Sequence, residues 1–339
     1  MLRRKMPFSP ADIQPDALPF LLLPVALVLD TIVGELGPVF RILPHPVALI
    51  GGLVAWFDRH LNRDRRAPST RFMRGAVVVL IVVALAAAAG WGLARLARTV
   101  QYGWAIELVA VVLLLAQRSL FDHVRAVGRG LKTDGVRGGR KAVAHIVGRD
   151  PESLDEHGVA RAAIESLAEN FADGVVAPCF WYLLLGLPGL VVYKAINTLD
   201  SMIGHRTPRH AAFGATAARL DDAVNWLPAR LAGLIVALGA AFAPGGRPVA
   251  ALKVMARDGS KHRSVNAGWP EAAMAGAIGV ALAGPRRYGD AVVEDAWMGE
   301  EFSARATHVD IRRALFVFAV ACLLNLAVVV GLAILRLGM

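Results

Sequence analysis

Three short stretches of the chain gather ionisable and amide side chains at helical spacing. In ARAAIESLAENFADG, Arg161, Glu165 and Glu169 recur at every fourth position and form one polar stripe on a helix. Carboxylates one turn apart repel unless a cation lies between them. That cation can be Arg161 or a magnesium ion carrying a nucleotide. Asn170 and Asp173 extend the cluster. In NTLDSM, Asn197, Asp200 and Ser201 share a helix face directly after an apolar segment, where an unpaired carboxylate is costly. In ARLDDAVNWLPAR, Arg219, Asp222 and Asn225 recur at helical intervals, with Arg230 just beyond Pro228. Each stretch also has a plainer reading: a solvated ion-paired face, a helix N-cap, and salt bridging within one helix. Their company in an otherwise apolar chain favours a site.

Lys194, His205, Arg206, Arg209, His210, Lys261, His262 and Arg263 supply cationic donors nearby. The planar fork of arginine suits phosphate, and carboxylates beside cations suit a magnesium-nucleotide reaction. GVRGGRKA (135–142) is glycine-rich but lacks the P-loop spacing, and no nucleophile elbow or dinucleotide fingerprint occurs. His45, flanked by prolines in LPHPVALIGG, reads as a turn residue. The residues by themselves thus describe a charged, phosphate-binding site in a polytopic membrane protein.

The elements that must carry this site are apolar helices. Of 339 residues 56% are hydrophobic, which points to a membrane protein built as one integral domain over 1–339. Mean hydropathy is +0.50. Segments 75–97 and 314–335 are long enough to cross a bilayer of about 30 Å. Weaker candidates for membrane embedding are 17–33, 104–117, 175–193, roughly 226–243, and 271–284. The expected fold is all-α, a polytopic helical membrane protein with re-entrant or broken helices. The net charge of +10 clusters outside the apolar segments, so the positive-inside rule accounts for it and nucleic acid is not expected. Cys179 and Cys322 both lie in apolar segments and form no disulfide framework or metal spacing.

The basic stretches 57–74 and 118–150 are expected on the cytoplasmic side, with 75–97 and 104–120 crossing between them. A hairpin over 17–57, turning at 35–46, keeps the basic N-terminus inside as well. The first apolar run reads as an uncleaved anchor. A polar helical segment over 118–174 leads into the site, with a helix start expected at Asp150–Ser153. Pro178 and the Gly-Leu-Pro-Gly run at 186–189 break the segment 175–193, so the chain is expected to re-enter and leave on one side. Site loops at 194–225 and 244–271 then share the cytoplasmic face.

At these residues the chain resembles the CobD/CbiB family of cobalamin biosynthesis. The resemblance is carried by AIESLAENFADGVVAPCFWYLLLGLPGLVVYKAINTLDSMIGHR, FGATAARLDDAVNWLPARLAG, NAGWPEAAMAGAIGVALAGPRRYG and, near the N-terminus, HPVALIGGLVAWFDRHLNR. It extends in order over most of residues 25–290. It implies an adenosylcobinamide-phosphate synthase, a multi-pass protein of the inner, cytoplasmic membrane with its active site on the cytoplasmic face. The implied reaction joins a carboxyl of adenosylcobyric acid to the amine of (R)-1-amino-2-propanol phosphate and consumes ATP. The corrinoid is then substrate and not cofactor, and other enzymes of the pathway are possible partners beside the lipid bilayer.

On that resemblance Glu165, Glu169, Asp200 and Asp222 are the expected catalytic carboxylates, with Glu165, Glu169 and Asp200 as Mg²⁺ ligands. Arg206, Arg219 and Arg230 would bind phosphate or developing charge, and Asn170, Asn197 and Asn266 would orient substrate. Asp173, Ser201 and Asn225 complete the expected binding set. Two positions depart from the family pattern: Ser264-Val265-Asn266 replaces Ser-Pro-Asn, and Gly204-His205 replaces Gly-Tyr. They leave the choice of amino alcohol open. A corrinoid or ion transporter, or a non-catalytic membrane partner of the same fold, are the competing readings. Flux without ATP-dependent amide formation would mark the first, and no product from complete substrates the second.

Overall fold

The computed structural model describes residues 17–34, 45–147, 151–205, 207–288 and 291–338. Eleven α-helices dominate these residues: α1 (Leu18–Val33), α2 (Pro46–Leu61), α3 (Pro68–Thr99), α4 (Trp104–Leu114), α5 (Gln117–Val143), α6 (Glu156–Phe171), α7 (Ala177–Leu199), α8 (Ala215–Gly239), α9 (Pro248–Asp258), α10 (Gly268–Ile278) and α11 (His308–Gly338). Two antiparallel pairs of short strands, β1 (Leu282–Ala283) with β4 (Trp297–Met298) and β2 (Arg286–Tyr288) with β3 (Ala291–Val293), lie between α10 and α11. Five helical runs are long and apolar enough to cross a membrane, with α1 a shorter apolar helix beside them. The chain is a multi-pass, all-α membrane protein.

Helix α7 is broken, as its glycine and proline require. Gly186 adopts φ 63°, a left-handed conformation that glycine takes without strain, and Pro188 follows it. Beyond the break the chain folds back on itself. The Tyr193 hydroxyl lies 3.0 Å from the Asp173 carbonyl oxygen, and Asn197 Nδ2 donates to Asp173 Oδ2 at 3.2 Å. A straight helix would hold residues 173 and 197 about 36 Å apart. The two limbs are therefore antiparallel, and the helix is broken as the sequence leads one to expect. The tip abuts α3, where a Cβ on Gly90 would stand 2.7 Å from Pro188 Cα.

Several local expectations are revised. The helix after residue 150 does not begin at Asp150–Ser153: Pro151–Ser153 form one 3₁₀ turn, and Asp155 caps α6 by accepting from Gly158 N at 2.6 Å. Asp150 lies outside the described residues. The segment 271–284 is not a span, because its helix α10 has 11 residues and almost none of it is exposed. Apolar all round except for Glu271 in its first turn, α10 is the axis of the largest core, enclosed by α6, α8, α9 and α11. The turn expected at 35–46 falls mostly outside the described residues. Its flanking helices both touch α7, but α1 packs mostly on α4 and α11 and α2 mostly on α7 and α3.

Polar side chains buried among these helices act as fasteners. Asp30, which interrupts the first apolar run, accepts from Gln117 N at 2.9 Å and so caps α5 at its positive end. His45 caps α2 by accepting from Val47 N, in keeping with its reading as a turn residue. Asp58 on α2 accepts from Asn62 Nδ2 at 2.7 Å and from Arg209 Nη2 at 2.7 Å, and Asn62 Nδ2 also donates to the Arg209 carbonyl. Arg71 on α3 donates to Asn62 Oδ1 and to that same carbonyl. This network ties the loop between α7 and α8 to α2 and α3.

Candidate active site

The acidic clusters converge where two π-helical turns interrupt the helices. One, Ala172–Val176, joins α6 to α7 and carries Asp173. The other, Asp200–Gly204, ends α7 and begins with Asp200. A π turn adds a residue to the helical period and redirects the side chains that follow. Because the α7 hairpin folds back, its two ends meet, and both turns face α8. Helix α8 contributes Asp221, Asp222 and Asn225, α6 contributes Glu169, and the turn before α10 contributes Ser264 and Asn266.

These groups line one polar cavity of about 60 Å³. At 10–15 Å³ of such volume per water, roughly, that space admits a few waters or a small ion. It is far below the several hundred Å³ of pockets that enclose a nucleotide-sized ligand. Five carboxylates, those of Glu169, Asp173, Asp200, Asp221 and Asp222, stand on its wall. Lys194 acts electrostatically on Asp173 and Asp221, and His205 acts on Asp200. Acidic groups outnumber basic ones on this wall, so the cavity favours a cation over an anion.

Amide and hydroxyl groups fix the wall. The Tyr193 hydroxyl also donates to Asn225 Oδ1 at 2.9 Å, which turns Asn225 Nδ2 away from it. Among the described residues that buried Nδ2 makes no hydrogen bond of normal geometry, and it faces the Asp221 carboxylate, on which Asn225 acts. Asn266 Nδ2 donates to the Asp222 carbonyl at 3.0 Å. Asn266 Oδ1 in turn accepts from Arg230 Nη1 at 3.0 Å. Arg230 is clamped between the rings of Trp226 and Trp269, each 4.5 Å from its guanidinium carbon. A Cβ on Gly204 would lie 1.8 Å from Asp200 Oδ1, so glycine here leaves room for that carboxylate.

Of the expected site residues, Glu169, Asp173, Asp200, Asp222 and Asn225, singled out by spacing, and Asn266, implied by the resemblance, line this cavity, and Asn197 bonds to it through Asp173. Others lie elsewhere. Glu165 is buried, and its Oε1 accepts from Ala283 N at 2.9 Å, binding α6 to the strand segment. Arg161 donates to the Ala304 carbonyl and faces the Trp297 ring. Asn170 donates to the Ser166 carbonyl, and Ser201 donates to the Asn197 carbonyl from an exposed position. Arg219 is exposed on α8. Arg206 lies outside the described residues.

Four of the eight neighbouring cations are engaged in structural pairs. Arg209 and His210 meet Asp58, Lys261 meets Asp258, and His262 Nε2 lies 3.7 Å from Glu271. Spacing passed over Asp221, Ser264 and Tyr193 as site residues. For Asp221 a signal existed: it stands four residues before Asn225, so the two share a face, whereas the series 219, 222, 225 selected another. The three expected Mg²⁺ ligands are not gathered, because Glu165 does not reach the cavity. No three His, Cys, Asp or Glu side chains among the described residues converge closely enough to hold a metal ion by themselves.

Comparison with known proteins follows the same residues. The family model described as "CobD/Cbib protein" matches residues 23–318. A cobalamin biosynthesis protein CobD of Rhizobium meliloti is 50% identical over 304 residues, covering 89% of this chain and 93% of that protein. The protein of the same name from Brucella melitensis is 49% identical over 302 residues, 88% of this chain and 92% of its own. That of Rhodobacter capsulatus is 47% identical over 281 residues, 81% and 85%. No solved structure matches the chain.

Proposed function

The chain belongs to the CobD/CbiB family and takes part in cobalamin biosynthesis, and on that premise we propose that its acidic cavity forms an amide bond. The substrates in this reading are adenosylcobyric acid, (R)-1-amino-2-propanol phosphate and ATP, and the product is adenosylcobinamide phosphate. The membrane is the inner one, and the cavity opens to the cytoplasm, where ATP is present. The observation that carries the reading is the meeting of five carboxylates and the Asn225 amide around one small polar space, with Lys194 acting on two of those carboxylates from behind the wall.

The size of the cavity divides the labour. Corrin, adenosine and the phosphate chain stay at its mouth, and the reacting atoms meet there against the acidic wall. The propionate oxygen attacks the terminal phosphorus of ATP and ADP leaves, so the acid becomes an acyl phosphate. The amine lone pair then attacks the acyl carbon and inorganic phosphate departs. The substrate arrives as an ammonium ion, which the acidic wall attracts, and a cavity carboxylate takes the proton it must lose. Asn225 Nδ2 supplies a hydrogen bond to the oxygen that gains charge at the acyl carbon.

Magnesium fits this wall as a shared ion. It commonly takes one or two protein carboxylates and completes its shell with water and substrate phosphates, and one or two of Glu169, Asp200 and Asp222 on the wall would hold it so. Bound there, it would offset phosphate charge during transfer. The test is turnover by the purified full-length protein with all three substrates and Mg²⁺, the amide and ADP being detected by mass spectrometry. Asp200→Asn and Asp222→Asn are expected to abolish product in folded protein. Amide formation without ATP, or near-normal turnover in both variants, rejects the reading, and corrinoid flux without amide formation points to a transporter.

A further inference from the structure

A second cavity, of about 280 Å³, lies where α11 leaves the core. Its wall is apolar and comes from three places: the loop at Pro244 that follows α8, Ile278 at the end of α10, and Phe316 and Val317 on α11. Arg312 and Arg313 stand on its rim. The volume approaches the lower range of small-molecule sites, about 300 Å³. None of these groups belongs to the acidic cavity.

The depth of this cavity in a bilayer follows from α11. Ala314 to Leu335 is an uncharged run that extends about 33 Å as helix, enough for a hydrocarbon layer of about 30 Å. Arg312 and Arg313 therefore fall in the headgroup layer, and Arg336 marks the other boundary. The surface beside the opening is apolar too. Phe316 is 46% and Phe242 69% exposed, so the cavity wall continues into surface suited to acyl chains. Charge on the rim is of one sign after pairing. Arg313 Nη1 donates to Asp310 Oδ1 at 3.1 Å, which offsets its charge, and Arg312 next to it is exposed.

We propose that this cavity is a binding site for an anionic phospholipid, one acyl chain filling the apolar space and the headgroup phosphate resting on Arg312. An apolar hollow at headgroup depth with a cationic rim is complementary to such a lipid and to neither of its halves alone. A basic side chain near an anionic surface contributes about 1 kcal/mol, or roughly a fivefold preference.

The experiment uses delipidated full-length protein in detergent, titrated with dioleoyl phosphatidylglycerol, dioleoyl phosphatidylcholine or inorganic phosphate and followed by native mass spectrometry. The expected result is phosphatidylglycerol bound about fivefold more tightly than phosphatidylcholine, with weak binding of phosphate. Arg312→Gln should erase that preference while leaving phosphatidylcholine binding, and Arg312→Lys should restore most of it. Phe316→Ser should weaken both lipids. Equal affinity for the two lipids, an Arg312→Gln protein that still discriminates, or phosphate bound through Arg312 as tightly as lipid overturns the proposal. Amide formation is untouched by Arg312→Gln on this account, so the lipid site and the acidic cavity fail or stand separately.

Discussion

Replacing Arg230 by lysine separates two roles that the sequence leaves undivided. Read as a phosphate ligand, Arg230 should matter to substrate binding. In the structure its guanidinium is already occupied: it donates to Asn266 Oδ1 at 3.0 Å, to the Trp226 carbonyl at 2.6 Å and to the Val265 carbonyl at 3.4 Å, between two indole rings. Asn266 passes the constraint to Asp222 through its bond to the Asp222 carbonyl. Lysine keeps the charge but offers no planar fork, so it retains at most part of this set. Losing one charged hydrogen bond and part of two cation–π contacts costs about 2 kcal/mol. That is roughly a thirtyfold loss in the population with Asn266 and Asp222 correctly held. Steady-state kinetics with aminopropanol phosphate as the varied substrate should then show kcat lowered by roughly ten- to thirtyfold, with KM nearly unchanged. A normal kcat with a raised KM for that substrate would refute the positioning role and return Arg230 to phosphate binding.

Gly204→Ala should displace the Asp200 carboxylate, because the new methyl would stand 1.8 Å from Oδ1; turnover should fall at least tenfold while the protein still purifies folded, and wild-type turnover would contradict the placement of Asp200. Glu165→Gln keeps an acceptor for Ala283 N, so it should lower thermal stability slightly and leave more than a third of the activity; complete loss of turnover in a folded protein would make Glu165 a reacting group. Burial pushes the Asp258 carboxyl up, but hydrogen bonds from Arg257, Lys261 and Gly299 N outweigh it and hold the group below its ordinary value of 3.8. A depressed carboxylate contributes stability above its unfolded pKa and loses it as pH falls toward the native one. The thermal midpoint should therefore drop from about pH 4 downward, and Asp258→Asn should be less stable at neutral pH by about 2–4 kcal/mol with a flatter acid limb; an unchanged acid limb would show that Asp258 does not carry it.

Local chemistry in the chain is what made much of this molecule legible beforehand. Apolar runs at 75–97 and 314–335 specify spans because a helix must bury its length in lipid. Gly186 and Pro188 specify a break because their backbone limits act at the residue itself. The acidic clusters could be read as a site because carboxylates in an apolar chain demand partners. These features need no knowledge of distant neighbours.

Which of those side chains meet was decided only in three dimensions. Glu165 and Glu169 share a helix stripe, yet one turn along α6 separates the strand segment at Ala283 from the acidic cavity. Arg209 reads as a phosphate donor until Asp58, far away in the chain, claims it. Asp221 enters the cavity because α8 is rotated by its packing against α10, and α10 itself proved a buried axis where apolar composition allowed a span. Periodicity tells which residues of one helix lie together but leaves the rotation of that helix free. Only the packing of neighbouring helices removes that freedom, and with it settles which charges face one another.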